Sequence, residues 1–209
     1  MRKMTKLLWE DQDRHPGDRQ RLFTAIADAF SVRTVFYPGS FVDISPSFVF
    51  DRVTYVDNDL RAAEFFGDVA GVDEIIAEHR RGTGAAVWEF SPADYTHRLD
   101  LPTDHYDLLV SLYAGFVSEH CTDHLAPGGI LVVHPSHGDA AMASIDARYS
   151  LVAVVTSRTT GYAVKDDDLE SYLIPKKPTE ITRASLHRSG RGVGYTRSPF
   201  AYVFQRTTR

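Results

Sequence analysis

Six short apolar runs, each closed by turn chemistry and separated by helical stretches, constrain this chain more than any other feature. In order they are "TVFY", "VTYVD", "AAVWEF", "YDLLVSL", "ILVVH" and "SLVAVVT". Short runs rich in Val, Ile, Phe and Tyr read as strands. Runs without polar alternation, such as "ILVV" and "LVAVV", suit strands buried on both faces, as in a parallel sheet covered by helices on two sides. The intervening segments supply those helices. "DRQRLFTAIADAF" sets Leu22, Ile26 and Phe30 at helical spacing. "SFVDISPSFVFDR" has room for one short helix after Ser45-Pro46. "DNDLRAAEFFGD" opens a helix with acidic residues at the end its dipole favours. "VDEIIAEHRRG" is expected to stop at Gly82. "YAGFVSEHCTDHLAPGG" reads as a helix ending in a Pro-Gly-Gly turn, "GDAAMASIDARY" as a short helix, and "FAYVFQR" as a last strand. The expected class is α/β, with a doubly wound, mostly parallel, seven-stranded sheet.

A length of 209 residues suits one domain, 1–209, with a helical lead-in over 1–30. The polar stretch 157–198 stands as an insertion before the last strand, a place where long loops tend to be functional. "KDDDLESYLI" within it suits a helix capped by its acidic run. Charge is split. Residues 157–209 carry 10 Lys and Arg against 5 Asp and Glu, a balance of +5, so a total of −5 leaves −10 on the first 156 residues. That acidic body argues against nonspecific nucleic-acid binding by the whole chain and leaves the basic tail to an acidic substrate or to the body itself. The single cysteine, Cys121, has no disulfide partner, which fits a reducing, cytoplasmic setting. "MRKMTKLLWEDQD" lacks the apolar length of a signal peptide or a membrane span.

An open parallel sheet binds ligands beyond the carboxyl ends of its strands. Four loops therefore hold the candidate residues. After strand one, Gly39 lets backbone approach a ligand and Ser40 offers a hydroxyl. After strand two, Asp57 lies 18 residues beyond Gly39. That is near the spacing at which dinucleotide folds place a ribose-binding carboxylate. Asn58 stands beside it, and Asn58 or Asp59 suits the cap of the next helix. After strand three, Ser91 and Asp94 are placed to meet a base edge. After strand four, Ser111 and Tyr113 border the reacting end. His134 and His137, in "VVHPSHGD" after strand five, are candidate general bases, with Tyr113 beside them, and a polar surface turn accounts for them as well.

Other chemistries lack their patterns. "EHCTDH" sets His120 and His124 one helical turn apart without the order of a zinc site, so no metal is expected. There is no G-x-S-x-G elbow and no P-loop lysine. The stretch Lys176 to Arg197 has six basic residues against Glu180 alone, but no nucleic-acid motif accompanies it.

The succession "VFYPGS", "VTYVDND", "WEFSPADY", "YDLLVSLYAG…HLAPGGILVV" resembles the class I S-adenosylmethionine-dependent methyltransferases. The resemblance covers roughly residues 30–156, and "PFAYVFQR" resembles that family's final antiparallel strand. It implies a strand order of 3-2-1-4-5-7-6 and S-adenosylmethionine as cofactor. By the same resemblance Gly39 lies beneath the methionine part, Asp57 holds the ribose, the strand-three loop meets adenine, and Ser111 to Tyr113 face the methyl group. The resemblance names no substrate; the first reading is a methyltransferase acting on a small molecule. The chain departs from the family in its first loop. Only Gly39 remains of several glycines, Pro38 removes a donor, and Phe41 and Val42 stand where small residues are usual. No "N-P-P-Y" occurs. A non-catalytic binding or scaffolding module that keeps the fold without the cofactor is the alternative reading, and a hollow filled by Phe41 and Val42 would favour it.

Overall fold

The computed structural model describes residues 1–80 and 84–207. The helix stop expected at Gly82 lies outside them. Eight strands form one sheet: β1 (Thr34–Pro38), β2 (Arg52–Val56), β3 (Val87–Ser91), β4 (Tyr106–Ser111), β5 (Leu125–Val133), β6 (Tyr149–Arg158), β7 (Gly161–Lys165) and β8 (Ala201–Arg206). Their order is β3-β2-β1-β4-β5-β8-β6-β7. β3, β2, β1, β4 and β5 pair in parallel, and β8 runs antiparallel between β5 and β6. This is the expected order with one strand added. β7 folds back on β6 as a hairpin inside the stretch expected to be irregular.

The period-2 rule places alternate residues on opposite faces. Val35 and Tyr37 of β1 and Leu108 and Val110 of β4 face one core. That core is closed by Leu22, Phe23 and Ile26 of α2 (Asp18–Ala29), Phe65 of α3 (Leu60–Phe66), and Val72 and Ile75 of α4 (Val69–His79). Trp9 of the N-terminal helix α1 (Lys3–Gln12) packs on its rim, edge-on to Phe48. Phe36 and Leu109 face the other core, with Val117 and Cys121 of α5 (Val117–Cys121) and Ala140 and Ala143 of α6 (Asp139–Ser144).

The short helix after Ser45 is a 3₁₀ turn, Ser45–Phe48, and Asp59 caps α3 by accepting the Arg61 N–H at 2.8 Å. Two local expectations change. The Pro-Gly-Gly sequence does not end a helix. It sits within β5, where the pairing with β4 jumps from Tyr106–Leu125 to Leu108–Ile130 and Ala126 to Gly129 bulge out. The helix expected over "KDDDLESYLI" is a 3₁₀ stretch, Leu169–Leu173, and Asp168 makes no side-chain cap; its carboxylate pairs with Arg197 instead.

The insertion is part of the second core. Tyr172 and Tyr195 are buried there, and the Tyr202 hydroxyl donates to the Tyr172 carbonyl at 2.9 Å. Its helix α7 (Arg183–Ser189) has a reciprocal Thr182–Ser185 cap and ends at the left-handed Gly190. Arg183 bridges Asp146 at 3.1 Å and Glu119 at 3.4 Å, and His187 meets Glu119 at 2.8 Å. Two of the tail's cations, Arg183 and Arg197, are thus engaged by the chain's own acids. No described helix is long and apolar enough to cross a membrane. Leu108 has no exposure in the central strand. Leu108→Ala is expected to lower unfolding free energy by about 2–5 kcal/mol, read from urea denaturation.

Candidate functional site

The carboxyl ends of β1 to β5 meet on one edge of the sheet. Gly39 leaves β1 at φ +66°, a conformation glycine tolerates best, and its N–H donates to the Val56 carbonyl at 2.8 Å. A Cβ at Gly39 would lie 2.7 Å from the Ala114 Cβ. The space left by the missing side chain is therefore filled by the β4 loop, and the loop contact itself requires glycine. Ser40 is buried, with its hydroxyl toward the Phe41 carbonyl at 3.4 Å.

Asp57 anchors the adjoining loop. One carboxylate oxygen accepts the Phe41 N–H at 2.7 Å and the other accepts the Asp59 N–H at 2.8 Å. Each oxygen has a second acceptor position, and the residue is half-buried at the edge. Asn58 beside it is exposed. The two bulky residues of the first loop do different things. Val42 is fully buried in the first core, so it does not fill an edge hollow. Phe41 takes φ +47°, packs partly on that core, and is covered by the Arg61 guanidinium 4.8 Å from its ring centre.

Ser91 ends β3 with partial exposure. Asp94 spends one oxygen on a turn, accepting the Thr96 N–H at 2.9 Å and the Thr96 hydroxyl at 2.7 Å. The same loop holds Tyr95, which the motif reading passes over. Its hydroxyl accepts the Gly115 N–H at 2.9 Å, and its ring lies beside Gly39, so it ties the β1, β3 and β4 loops together. Burial pushes the Tyr95 phenol up to about 12, so it stays protonated at neutral pH.

The structure gives the Ser111 hydroxyl a partner away from the edge. Ser111 is buried and donates to Asp139 at 2.6 Å. The Ser118 N–H and hydroxyl also donate to that carboxylate. Asp139 therefore joins β4, α5 and α6 from beneath the loops. Burial raises its pKa to about 6, although the Ser111 and Ser118 donors oppose the rise.

Tyr113 stands at φ +62°, about half exposed, and its ring lies 4.2 Å from that of His134. A bulky residue in that region is strained and is held only by its surroundings. His134 follows β5, and its N–H donates to the Ser111 carbonyl at 2.9 Å. Its Nδ1 accepts the Ser136 N–H at 3.2 Å, which leaves the ring proton of the neutral form on Nε2. Burial, then Arg19 and His137, hold His134 down to about 4. His134 is therefore a neutral ring at neutral pH, with Nδ1 occupied and the proton on Nε2. His137 is exposed and shares the Ser136 hydroxyl at 2.7 Å. The insertion fixes this loop: the Gly192 N–H donates to the Ser136 carbonyl at 3.0 Å, and a Cβ there would collide with the Pro135 carbonyl.

Arg19 of α2 also reaches this edge. Its guanidinium lies 5.0 Å from the Tyr113 ring centre, and Nε stands 3.8 Å from the buried carboxylate of Asp43. Among the described residues no group of three His, Cys, Asp or Glu is placed to hold a metal ion. His124 is buried with Nδ1 3.0 Å from the Pro102 carbonyl, and burial raises the Cys121 thiol pKa. A cleft of about 1050 Å³ opens elsewhere, beside α2 and the chain entering β2 and β3; Arg21, Asp51, Arg80 and Arg158 line it, and no candidate residue does.

Folding takes up a proton at Asp139 between its unfolded pKa near 3.8 and its folded value of about 6. Its contribution to stability is full below the former and is lost as pH rises through the latter. Wild-type stability minus that of Asp139→Asn is expected to fall by on the order of 3 kcal/mol from pH 4 to pH 7, measured by denaturant titration at each pH. Gly39→Ala is expected to lower stability by about 1–3 kcal/mol through its positive φ and the Ala114 contact.

No protein-family model and no curated protein sequence matches the chain. Solved structures do. A candidate S-adenosyl-L-methionine-dependent methyltransferase of Methanococcus maripaludis is 14% identical over 63% of this chain and 61% of its own, with TM-score 0.47. The O-methyltransferase TomG of Streptomyces achromogenes, solved with its cofactor, is 17% identical over 78% and 87%, with TM-score 0.47. The tRNA (m1A58) methyltransferase TrmI of Aquifex aeolicus is 10% identical over 91% and 69%, with TM-score 0.46. The strand order, with its antiparallel last strand between β5 and β6, gives this chain a class I methyltransferase-like fold.

Proposed function

We propose that this chain is an S-adenosylmethionine-dependent methyltransferase acting on a small molecule. The observation that carries the reading is Asp57. Two backbone N–H groups hold its carboxylate at the sheet edge, and each oxygen keeps an acceptor position for one of two neighbouring ribose hydroxyls. That donor set fits the adenosyl part of the cofactor. Asn58, Ser91 and Asp94 border the same edge and suit the base, while Gly39 and Ser40 reach the ligand through backbone. Tyr113 and His134 stand on the acceptor side. The cofactor, when bound, supplies a methyl group already activated on a sulfonium. The protein's part is then to align the acceptor and exclude water. The acidic body and the pairing of Arg183 and Arg197 within the chain support a small acceptor over a polyanion.

A second reading, a non-catalytic module on the same fold, is favoured by one observation: the only glycine of the first loop packs on Ala114 instead of leaving a cradle open. Isothermal titration of the full chain separates the two. Micromolar binding of S-adenosylmethionine, weakened at least about tenfold in Asp57→Asn, is the outcome expected of the enzyme. Binding of adenosine alone with no gain from the methionine part supports the module. No heat with either ligand at millimolar concentration removes the cofactor reading.

A further inference from the structure

Arg19 is a partly buried cation, 20% exposed, whose donors the fold uses only in part. It leaves α2 and ends between two aromatic rings, 5.0 Å from the centre of Tyr113 and 5.9 Å from that of Phe200. Its Nη1 is buried and has no hydrogen-bond partner among the described residues. Beneath it, Asp43 stands 3.8 Å from Nε, beyond hydrogen-bond reach, and takes the Tyr37 hydroxyl at 3.2 Å and the Ser45 N–H at 3.2 Å. Asp43 thus balances the charge without using the planar donor fork. A buried donor left unpaired carries a desolvation penalty that a bound ligand can relieve.

The surroundings specify that ligand. Two rings lie on the guanidinium, Tyr113 and Phe200, and two more pack behind them: His134, 4.2 Å from Tyr113 and 5.3 Å from Phe200, and Tyr162, 4.7 Å from Phe200. Tyr113 is the cover. It is about half exposed and stands at φ +62°. A guanidinium fork matches a carboxylate two bonds at a time, and ring walls favour a planar body.

We infer that Arg19, walled by Tyr113, His134 and Phe200, binds the carboxylate of an aromatic methyl acceptor. The role of acceptor rests on the methyltransferase reading; the binding itself does not.

Titration of the full-length chain with benzoate, phenol and S-adenosylmethionine tests this, on the wild type, Arg19→Lys and Tyr113→Ala, with thermal melts to verify folding. Arg19→Lys keeps the charge beside Asp43 and loses only the fork, and Tyr113 is exposed enough to replace. Benzoate is expected to bind the wild type at least about tenfold more tightly than phenol and to lose about tenfold in each variant. Absence of benzoate binding at millimolar concentration, equal binding of phenol, or unchanged benzoate affinity in Arg19→Lys overturns the inference. So does a loss confined to S-adenosylmethionine, which would assign the fork to the cofactor's own carboxylate. Arg19-dependent benzoate binding by a chain that ignores S-adenosylmethionine keeps the site and removes the methyltransferase reading alone.

Discussion

Parallel pairing of β3, β2, β1, β4 and β5 forces every one of their carboxyl ends onto a single edge, because each strand must return by a crossover before the next begins. All the residues discussed above gather for that reason. Residues far apart in sequence, such as Asp57, Tyr113 and His134, come to one edge because five strands point the same way, and Arg19 reaches Tyr113 there from α2. The ladder is itself held by two apolar layers, and alternate residues of one strand serve different layers.

The edge is then shaped by polar ties, each using a group that apolar packing alone would leave unsatisfied. Asp57 draws the β1 loop toward α3. Tyr95 draws the β3 loop over Gly39 and Gly115. Asp139 fixes β4 to α5 and α6 from below. These ties hold the loops to one another, and Tyr113 and the Arg19 guanidinium lie outside them. Pinning by the insertion continues the same logic, since Gly192 fits against Pro135 only because it carries no side chain.

Much of the architecture was legible as pattern. The strand runs, the α2 face of Leu22 and Ile26, and a cap at Asn58 or Asp59, which falls to Asp59, are local or periodic properties that survive in the fold; the antiparallel direction of the last strand is legible only through the family resemblance. The errors have physical causes. Ala126 to Gly129 read as a turn because Pro and Gly break regular structure, yet a bulge absorbs the same residues within a longer strand. The β7 hairpin is hidden because its residues are only half-buried and its apolar run, Tyr162 to Val164, is just three residues long. Val42 reads as an obstacle to a ligand because it stands in the first loop where the resembled family has small residues, but a loop turns successive residues in different directions and sends this one into the core.

What the sequence determined by itself was the order of strands and helices and the presence of a carboxylate at the end of β2, because apolar periodicity and turn chemistry act over a few residues. The tertiary structure decided which polar groups are spent and which are free. Ser111 is used by Asp139, His134 is held neutral with its Nδ1 occupied, and Arg19 keeps an unpaired donor. Ser111 and Asp139 are 28 residues apart and Arg19 and Tyr113 are 94 apart; hydrogen bonding and burial of that kind are properties of neighbours in space, which no local pattern records.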